Sequence, residues 1–535
     1  MRQASENTAK IARSAGLVSA AVLCSRVLGL IREQVFAIFF GAGHAYDAFV
    51  VAFRIPNLLR DLFGEGALSA AFVTVFSDYD ATKGEKETWR LANNVLTFFA
   101  VFLSLLTLLG IYFAEDIVRL MVQEEYEVVA GQVALTSQLT MIMFPFLLFI
   151  SMSAVVMGGL NSKGRFFVPA LASSFFNLGS IVGGLSCAYI LHRLGQPAIV
   201  GMAIGTLIGG GLQLFSQLPS FKAVGFRLRP RLDLADPGLR RILLLMGPAV
   251  VGLSATQLNI FVNNNYASAC GEGSLSWLQY AFRLVQLPIG LFGVALSMAS
   301  LPLISRYAAK GDIDSLRETF SSALIMVFCL AIPATVGLWM LSEPIIALIF
   351  EHGRFTAEDT RQTAAALRFY AIGLFAYAAV KVTVPVFYAL RNTRVPVVGS
   401  FIAVAINLAL VSQLVKYFDH RAIALSISGA LIANLAFLLF KLHGRLGSLP
   451  LRYIATGVAK AVMAAIAMGL WLALYGHFLA PLLQGGVFLQ LLLVVGAVAS
   501  GALTYGACLH FAGVREFSEI VLKLRQRLAS LSKAG

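Results

Sequence analysis

The sequence is short of charge. Only 13% of its 535 residues are Asp, Glu, Lys or Arg, while 58% are hydrophobic and the mean hydropathy is +0.81. A soluble domain carries about 25% charged residues, so water-soluble enzymes and disordered scaffolds are excluded. Cysteine is also sparse. Cys24, Cys187, Cys270, Cys329 and Cys508 are scattered, mostly within apolar runs, and form no CxxC or Cys/His cluster; this argues against a disulfide framework or a metal and for buried small side chains. No Walker motif, zinc signature or nucleophile elbow occurs, so the chain carries no ATP-hydrolysing or catalytic signature of its own. Carboxylates are fewer than cations, 27 against 41, giving a net charge of +14. The Lys and Arg residues sit in short loops between hydrophobic segments rather than on one amphipathic face, which excludes a nucleic-acid partner and points to topology.

What is abundant is apolar sequence of membrane-spanning length. Runs of about 20 mostly apolar residues define an all-α polytopic membrane protein of about fourteen transmembrane helices, near 14–40, 46–79, 91–113, 133–160, 167–192, 197–218, 239–267, 275–306, 318–341, 357–390, 395–416, 421–442, 452–476 and 486–512. Breaks are expected at Pro56, Gly64 and Gly66 in the second run and at Pro288 and Pro302 in the eighth. The first run contains Arg26, Arg32 and Glu33, which the apolar region of a secretory signal would not tolerate, so it is expected to remain as a helix. Alternate loops differ in charge. One set holds Lys83, Lys86, Arg90, Lys163, Arg165, Lys222, Arg227, Arg229, Arg231 and Lys310, and the other is acidic, with Glu124, Glu125, Glu127, Glu351 and Glu358. The positive-inside rule places the first set, the N-terminus and the basic C-terminal tail in the cytoplasm.

The chain also matches itself. Ala52-Phe53-Arg54 recurs as Ala281-Phe282-Arg283, and Leu62-Phe63-Gly64 as Leu291-Phe292-Gly293; after a one-residue slip Ala67-Leu68-Ser69 matches Ala295-Leu296-Ser297. The copies lie on the second and eighth helices, six apart, so both cross the membrane in the same direction. A parallel repeat of this kind implies two transporter halves with substrate between them. The expected organisation is an N-lobe over 1–220, a C-lobe over 221–446, two additional helices over 447–512 and a basic tail over 513–535.

Ionisable groups in an apolar span cost roughly 2.5–3.5 kcal/mol each on insertion scales, so they face a cavity or one another. Here they cluster: Ser25, Arg26, Arg32 and Glu33 on the first helix, Asp47, Arg54, Arg60, Asp61 and Glu65 on the second, and Arg283 on the eighth. Arg54 and Arg283 fall at matching depths in the two copies and are expected to face each other across a central cleft. Several guanidiniums, partly offset by carboxylates, suit an anionic ligand with many oxygen acceptors, because the planar fork grips phosphate bidentately. The competing structural reading pairs Arg26 with Glu33 and Arg54 with Asp61, each seven residues on along one helix face. Arg283 has no carboxylate on its own helix after Glu272 and is the strongest candidate for ligand binding. Lys381, deep in the tenth helix, either lines the cavity or snorkels. Asn259, Asn263, Asn264 and Asn265 suit interhelical hydrogen bonds better than ligation. Gly209-Gly210-Gly211 reads as close packing or a hinge, since no strand precedes it to make a phosphate loop.

These residues carry a family resemblance. Ser25-Arg26-Val27-Leu28-Gly29 with Arg32, Phe40-Gly41-Ala42-Gly43, Asp47-Ala48-Phe49, Pro56-Asn57-Leu58-Leu59-Arg60 and Gly64-Glu65-Gly66-Ala67 resemble the MurJ (MviN) family of lipid II flippases, as do Met246-Gly247-Pro248-Ala249, Gly353-Arg354-Phe355-Thr356 and Val380-Lys381-Val382. The resemblance spans nearly the whole chain. It implies the fold of the multidrug/oligosaccharidyl-lipid/polysaccharide exporters, with two six-helix lobes around a cavity and two C-terminal helices lining a groove for the polyprenyl tail. It further implies a bacterial inner-membrane protein that turns lipid II outward by alternating access, with both termini cytoplasmic, no cofactor and no catalysed bond change. The membrane potential is the implied energy source, the coupling ion is left open, and cell-wall synthesis proteins are possible partners besides lipid II and membrane lipids. Family-essential positions fall on Ser25, Arg26, Arg32, Asp47, Arg60 and Arg283, with Arg54 joining the substrate set and Glu33, Asp61, Glu65 and Lys381 acting as charge partners or gates. Departures are Glu33 for Asp, Arg54 for Lys, Asp61 where a second basic residue can follow, and Phe282 where an Asp often precedes the arginine. The rival readings are an exporter of another polyprenyl-linked oligosaccharide or of amphipathic drugs, a polytopic glycosyltransferase, or a membrane scaffold for cell-wall enzymes. A cation exporter would tend to replace the arginines with carboxylates, and a glycosyltransferase needs a large outer loop that this chain lacks.

Overall fold

The structure, a computed structural model, describes residues 2–62, 67–479 and 486–517, and these are helical with no strand among them. In lipid a backbone must satisfy its own polar groups, and an α-helix does so within one segment. The chain divides into two compact units, Met1–Ser276 and Trp277–Gly535.

The first unit holds α1 (Arg2–Phe40), α2 (His44–Arg60), α3 (Ala67–Thr82), α4 (Glu85–Tyr112), α5 (Ala114–Met121), α6 (Glu124–Glu127), α7 (Gln132–Met143), α8 (Phe146–Ser162), α9 (Phe167–Arg193), α10 (Ala198–Phe215), α11 (Leu218–Ala223) and α12 (Pro237–Ser268). The unit boundary falls in the first turn of α13 (Ser274–Pro288). Beyond it lie α14 (Ala295–Lys310), α15 (Ile313–Met340), α16 (Ser342–Phe350), α17 (Ala357–Ile372), α18 (Leu374–Ala389), α19 (Arg394–Phe418), α20 (His420–Arg445), α21 (Leu451–Leu479) and α22 (Val487–Phe511).

Among the described residues, eleven helical stretches are long and apolar enough to cross a membrane, and α17 with α18, bent by 43°, makes a twelfth. That is fewer than the fourteen expected. The two expected spans outside this set are helical: the first is the end of α1, and the second is split into α2 and α3.

The breaks follow the repeat rather than the prolines. Pro56 and Pro302 lie inside helices that continue through them, contrary to expectation. The backbone instead widens to π turns at Asp61 and Leu62 after α2, and over Ile289–Val294 directly after Pro288. The matched leucines, Leu62 and Leu291, both lie in these π turns. A π turn accommodates one extra residue without ending the helix, which suits a position where one donor is already lost to proline. Gly64, Glu65 and Gly66 lie outside the described residues.

The core of the first unit is aromatic. Trp89 of α4 meets Phe76, Phe221 and Phe226 edge-on at 5.5, 5.6 and 5.8 Å. Against this cluster the linker 224–236 is tied down by polar side chains of α4. Asn93 donates to the Arg227 carbonyl (3.0 Å) and accepts from the Arg229 amide (2.7 Å), and Asn94 brackets Asp233 through its carbonyl (2.9 Å) and amide (2.8 Å). Asp236 then caps α12 by accepting from the Gly238 and Leu239 amides, with Pro237 in the first turn. α12 packs on α3, so it belongs to the first compact unit.

α9 and α10 pack backbone to backbone. A Cβ on Gly205 would stand 2.3 Å from the Gly184 Cα, and one on Gly209 2.5 Å from the Phe176 carbonyl oxygen. The glycine run therefore serves close packing.

In the second unit, α15 supplies a hub: it packs on α18, which in turn packs on α20, and Phe320, Leu324 and Phe328 share one apolar cluster with residues of both. Its other side receives α21 and α22, where the Tyr505 hydroxyl donates to the Cys329 carbonyl at 2.7 Å. All five cysteines are free thiols, but only Cys329 is buried, and Cys24 is exposed. The expectation that they are buried is corrected for Cys24: on a helix face turned to lipid, a small apolar residue has no need of burial in protein.

Candidate substrate site

The sequence-marked charges of the first unit lie on α1 and α2. Ser25 is half-buried, and its carbonyl accepts from the Asn177 side-chain amide of α9 at 3.1 Å. Arg26 on the next position is exposed. One and a half turns further on, the Arg32 guanidinium donates to Glu33 Oε1 at 3.0 Å and lies over the Phe176 ring at 5.3 Å. Glu33 is buried, and its second oxygen accepts the Tyr46 hydroxyl at 2.7 Å. In place of the competing pairing of Glu33 with Arg26, it is Arg32 whose guanidinium reaches the carboxylate from the adjacent position.

Asp47 is only 3% exposed. Its carboxylate accepts the Gly273 amide (2.7 Å), the Ser276 amide (2.9 Å) and the Ser276 hydroxyl (2.6 Å). These are the amides that a helix start leaves without intrahelical partners. An aspartate here does the work of a cap delivered from a different helix.

Arg54 is half-buried on the next turns of α2. Below it the Arg60 guanidinium holds Asp61 Oδ1 through Nε at 3.2 Å and Nη2 at 2.8 Å, and Gln257 of α12 donates to the other oxygen at 3.3 Å. Asp61 therefore pairs with Arg60 and not with Arg54. Where the family can carry a second cation, this chain has a carboxylate that turns the Arg60 fork along its own helix. Glu65 lies outside the described residues.

In the second unit Arg283 is half-buried on α13, one position after Phe282, whose ring packs on Tyr370 at 5.5 Å. Tyr280 on the same helix is fully enclosed by Phe350 and Phe355, at 4.9 and 5.4 Å. An aromatic wall thus fixes the rotation of α13 and with it the direction from which Arg283 leaves the helix. Lys381 of α18 is exposed, with its ammonium over the Tyr377 ring at 5.4 Å.

Sequence reasoning missed the residues that hold this set in place: Phe176, Asn177, Tyr46, Gln257 and Ser276. Each was visible only as an aromatic, a polar residue in an apolar span, or part of a loop. Among the described residues, no group of three or more His, Cys, Asp or Glu side chains is placed to hold a metal ion.

A guanidinium-rich pair of helices in an all-helical, multi-span chain defines a membrane transporter rather than a channel of uniform polarity. Its fold is that of the exporter superfamily: a multidrug transporter of the MOP superfamily in its inward-facing conformation superposes with a TM-score of 0.62 at 16% identity, over 81% of this chain and 94% of that one. Within that class the relationship is specific. The family model for lipid II flippase MurJ matches residues 36–494. A probable lipid II flippase MurJ from Bdellovibrio bacteriovorus is 33% identical over 96% of this chain and 97% of its own length. A solved structure of lipid II flippase MurJ in an inward closed conformation superposes with a TM-score of 0.77 at 29% identity, covering 95% of this chain and 99% of that chain. The chain belongs to the MurJ lipid II flippase family.

Proposed function

We propose that this protein carries lipid II from the cytoplasmic to the outer leaflet of the bacterial inner membrane by alternating access, with both termini in the cytoplasm. The observation that carries the reading is the family match over residues 36–494, which embraces α2 and α13 and with them Asp47, Arg54, Arg60 and Arg283. A headgroup bearing pyrophosphate, two sugars and a peptide is barred from hydrocarbon, while the polyprenyl tail is at home there. In this reading Arg26, Arg32, Arg54, Arg60 and Arg283, with Ser25, receive the anionic headgroup. Glu33, Asp47, Asp61, Glu65 and Lys381 position or gate them. The lobes are 1–220 and 221–446, helices over 447–512 attend the tail, and the 513–535 segment is the basic cytoplasmic end. No covalent bond changes, no cofactor takes part, and the membrane potential drives the cycle. The match to the lipid II flippase family and the clustered arginines favour this over drug export.

The test is complementation of cells depleted of their own lipid II flippase. Lipid II at the outer surface is scored with an impermeant probe for the native chain and for Arg283→Ala at equal expression. Outer-leaflet lipid II with the native chain and a loss of at least tenfold with the variant is expected. A native chain that inserts but restores nothing overturns the substrate; equal restoration by both overturns the role of Arg283.

A further inference from the structure

Beneath α5, an apolar bay of about 590 Å³ opens in the first unit. It is lined by Ile117 and Leu120 of α5, Leu58 and Leu59 of α2, and Phe144, and Asp116 is its one ionisable lining residue. α5 sits directly beyond the end of α4, a helix of membrane-crossing hydropathy, so the α5 side of the bay lies at one membrane surface.

Its walls come from stretches of membrane-crossing hydropathy, including α4, α7 with α8, and α12, so hydrocarbon rather than water is the medium that reaches it. An apolar cavity of about 150 Å³ stays dry and takes a benzene. This bay is about four times larger, a volume that fits one acyl chain and excludes a pair. Leu109, Phe113 and Leu120 on its rim are 47%, 46% and 70% exposed, an apolar edge turned outward from the protein.

The rim also selects a headgroup. Residues 114–131 carry Glu115, Asp116, Glu124, Glu125 and Glu127 against a single cation, Arg119. That guanidinium is taken up by Glu115 at 2.8 Å and Glu127 at 2.6 Å, and the partnership holds it above its ordinary protonation range. Asp116 at the mouth and the exposed Glu124 and Glu125 are left to set the local field, which repels an anionic headgroup and attracts an ammonium.

We propose that this bay is a binding site for one acyl chain of an ethanolamine phospholipid from the leaflet in which α5 lies, with the headgroup ammonium beside Asp116. The bound chain reinforces the packing of α5 on α2, α4 and α12, which already touch it directly.

The full chain is reconstituted in vesicles containing phosphatidylethanolamine with a diazirine near the terminal methyl of one acyl chain, irradiated and mapped by peptide mass spectrometry. Leu58 and Leu59 of α2 line the bay and are half-buried, so a chain held in the bay reaches them. The expected result is insertion at Leu58 and Leu59, with severalfold less from the same diazirine on phosphatidylglycerol. Asp116→Asn should narrow that preference, and Leu109→Trp, which sets a larger ring at the lining of the bay, should abolish labelling at Leu58 and Leu59 while leaving exposed helix faces labelled. Absence of label at Leu58 and Leu59 in the native chain, or its survival in Leu109→Trp, overturns the site. Equal labelling by the two lipids overturns the headgroup assignment, as does labelling by a diazirine polyisoprenyl phosphate in place of the phospholipid. The probe occupies both leaflets, so the result does not depend on the orientation proposed above.

Discussion

The Tyr46 hydroxyl of α2 donates to Glu33 of α1 at 2.7 Å, and through that carboxylate it acts on Arg32, which Glu33 holds from its other oxygen at 3.0 Å. The arginine is therefore aimed by two neighbouring helices, since the Phe176 ring of α9 lies beneath the same guanidinium. Tyr46→Phe removes one hydrogen bond to a charged group and is expected to cost about 1.5–3 kcal/mol. Glu33→Ala strips Arg32 and Tyr46 of that acceptor together and is expected to cost about 3–5 kcal/mol. Unfolding midpoints of the purified variants in one detergent check the order. Equal losses would mean that Tyr46, rather than the carboxylate, is the joint.

Asp47 offers a sharper comparison. Its two oxygens receive three donors, two of them backbone amides at the start of a helix. Ser276→Ala deletes only the hydroxyl bond to the carboxylate and is expected to cost about 1.5–3 kcal/mol. Asp47→Asn replaces one acceptor oxygen with a donor that faces the Gly273 or Ser276 amide, and should cost more than Ser276→Ala. If Asp47→Asn keeps native stability but loses transport, the residue touches substrate and its capping role is secondary.

The charges themselves were legible in the sequence, because lipid leaves so few ionisable groups unexplained that Arg26, Arg32, Arg54, Arg60 and Arg283 stand out at once. Their pairing was not. Helix periodicity puts residues seven apart on one face and so offered Arg26 with Glu33 and Arg54 with Asp61 as the structural alternative, yet a long guanidinium can turn back to its immediate neighbour, as Arg32 and Arg60 do. The Leu-Phe-Gly repeat was legible as identity, but that its leucines, Leu62 and Leu291, sit in π turns required the backbone. Polar side chains that bind loops, such as Asn93 and Asn94, were invisible as clamps because nothing in a sequence says which loop will pass beside them.

That clamp can be opened. Asn93 and Asn94 each make two bonds to the linker backbone, and Asp233 is held below its ordinary carboxylate range chiefly by the Arg231 side chain, at 2.8 Å. A lowered folded-state value means the ionised Asp233 supports the clamp at neutral pH, and this support fades only as the pH falls below about 4. Asn94→Ala is expected to lose about 1–2 kcal/mol of local stability, which is roughly a tenfold rise in the open population. Trypsin should then cut after Arg227, Arg229 or Arg231 about tenfold faster than in the native chain at pH 7.5. In sealed vesicles, cutting from the cytoplasmic face alone supports the proposed orientation, and cutting only from the opposite face refutes it.

A single substitution type should have opposite effects at two places in α10. At Gly205 a Cβ would stand 2.3 Å from the Gly184 Cα, 2.4 Å from its nitrogen and 2.7 Å from the Ser180 carbonyl oxygen. All three are backbone atoms, so no side chain can move aside and the helices must separate. Gly205→Ala is therefore expected to destabilise by about 1–3 kcal/mol or more. At Gly211 the nearest atom is a Phe215 ring carbon at 3.6 Å, an ordinary contact. There alanine relieves the entropic cost of glycine in a helix, and Gly211→Ala should stabilise by about 0.5–1 kcal/mol. Gly210 lies between these cases, 2.7 Å from the Phe146 ring, and its sign reports whether that ring can yield. If the run instead worked as a hinge, alanine at Gly211 would slow transport while raising the unfolding midpoint, because stiffening the helix would then oppose the motion. If it serves packing alone, Gly211→Ala transports at the native rate and only Gly205→Ala fails. Measuring both variants for unfolding midpoint and outer-leaflet lipid II therefore separates the two uses of glycine in one helix.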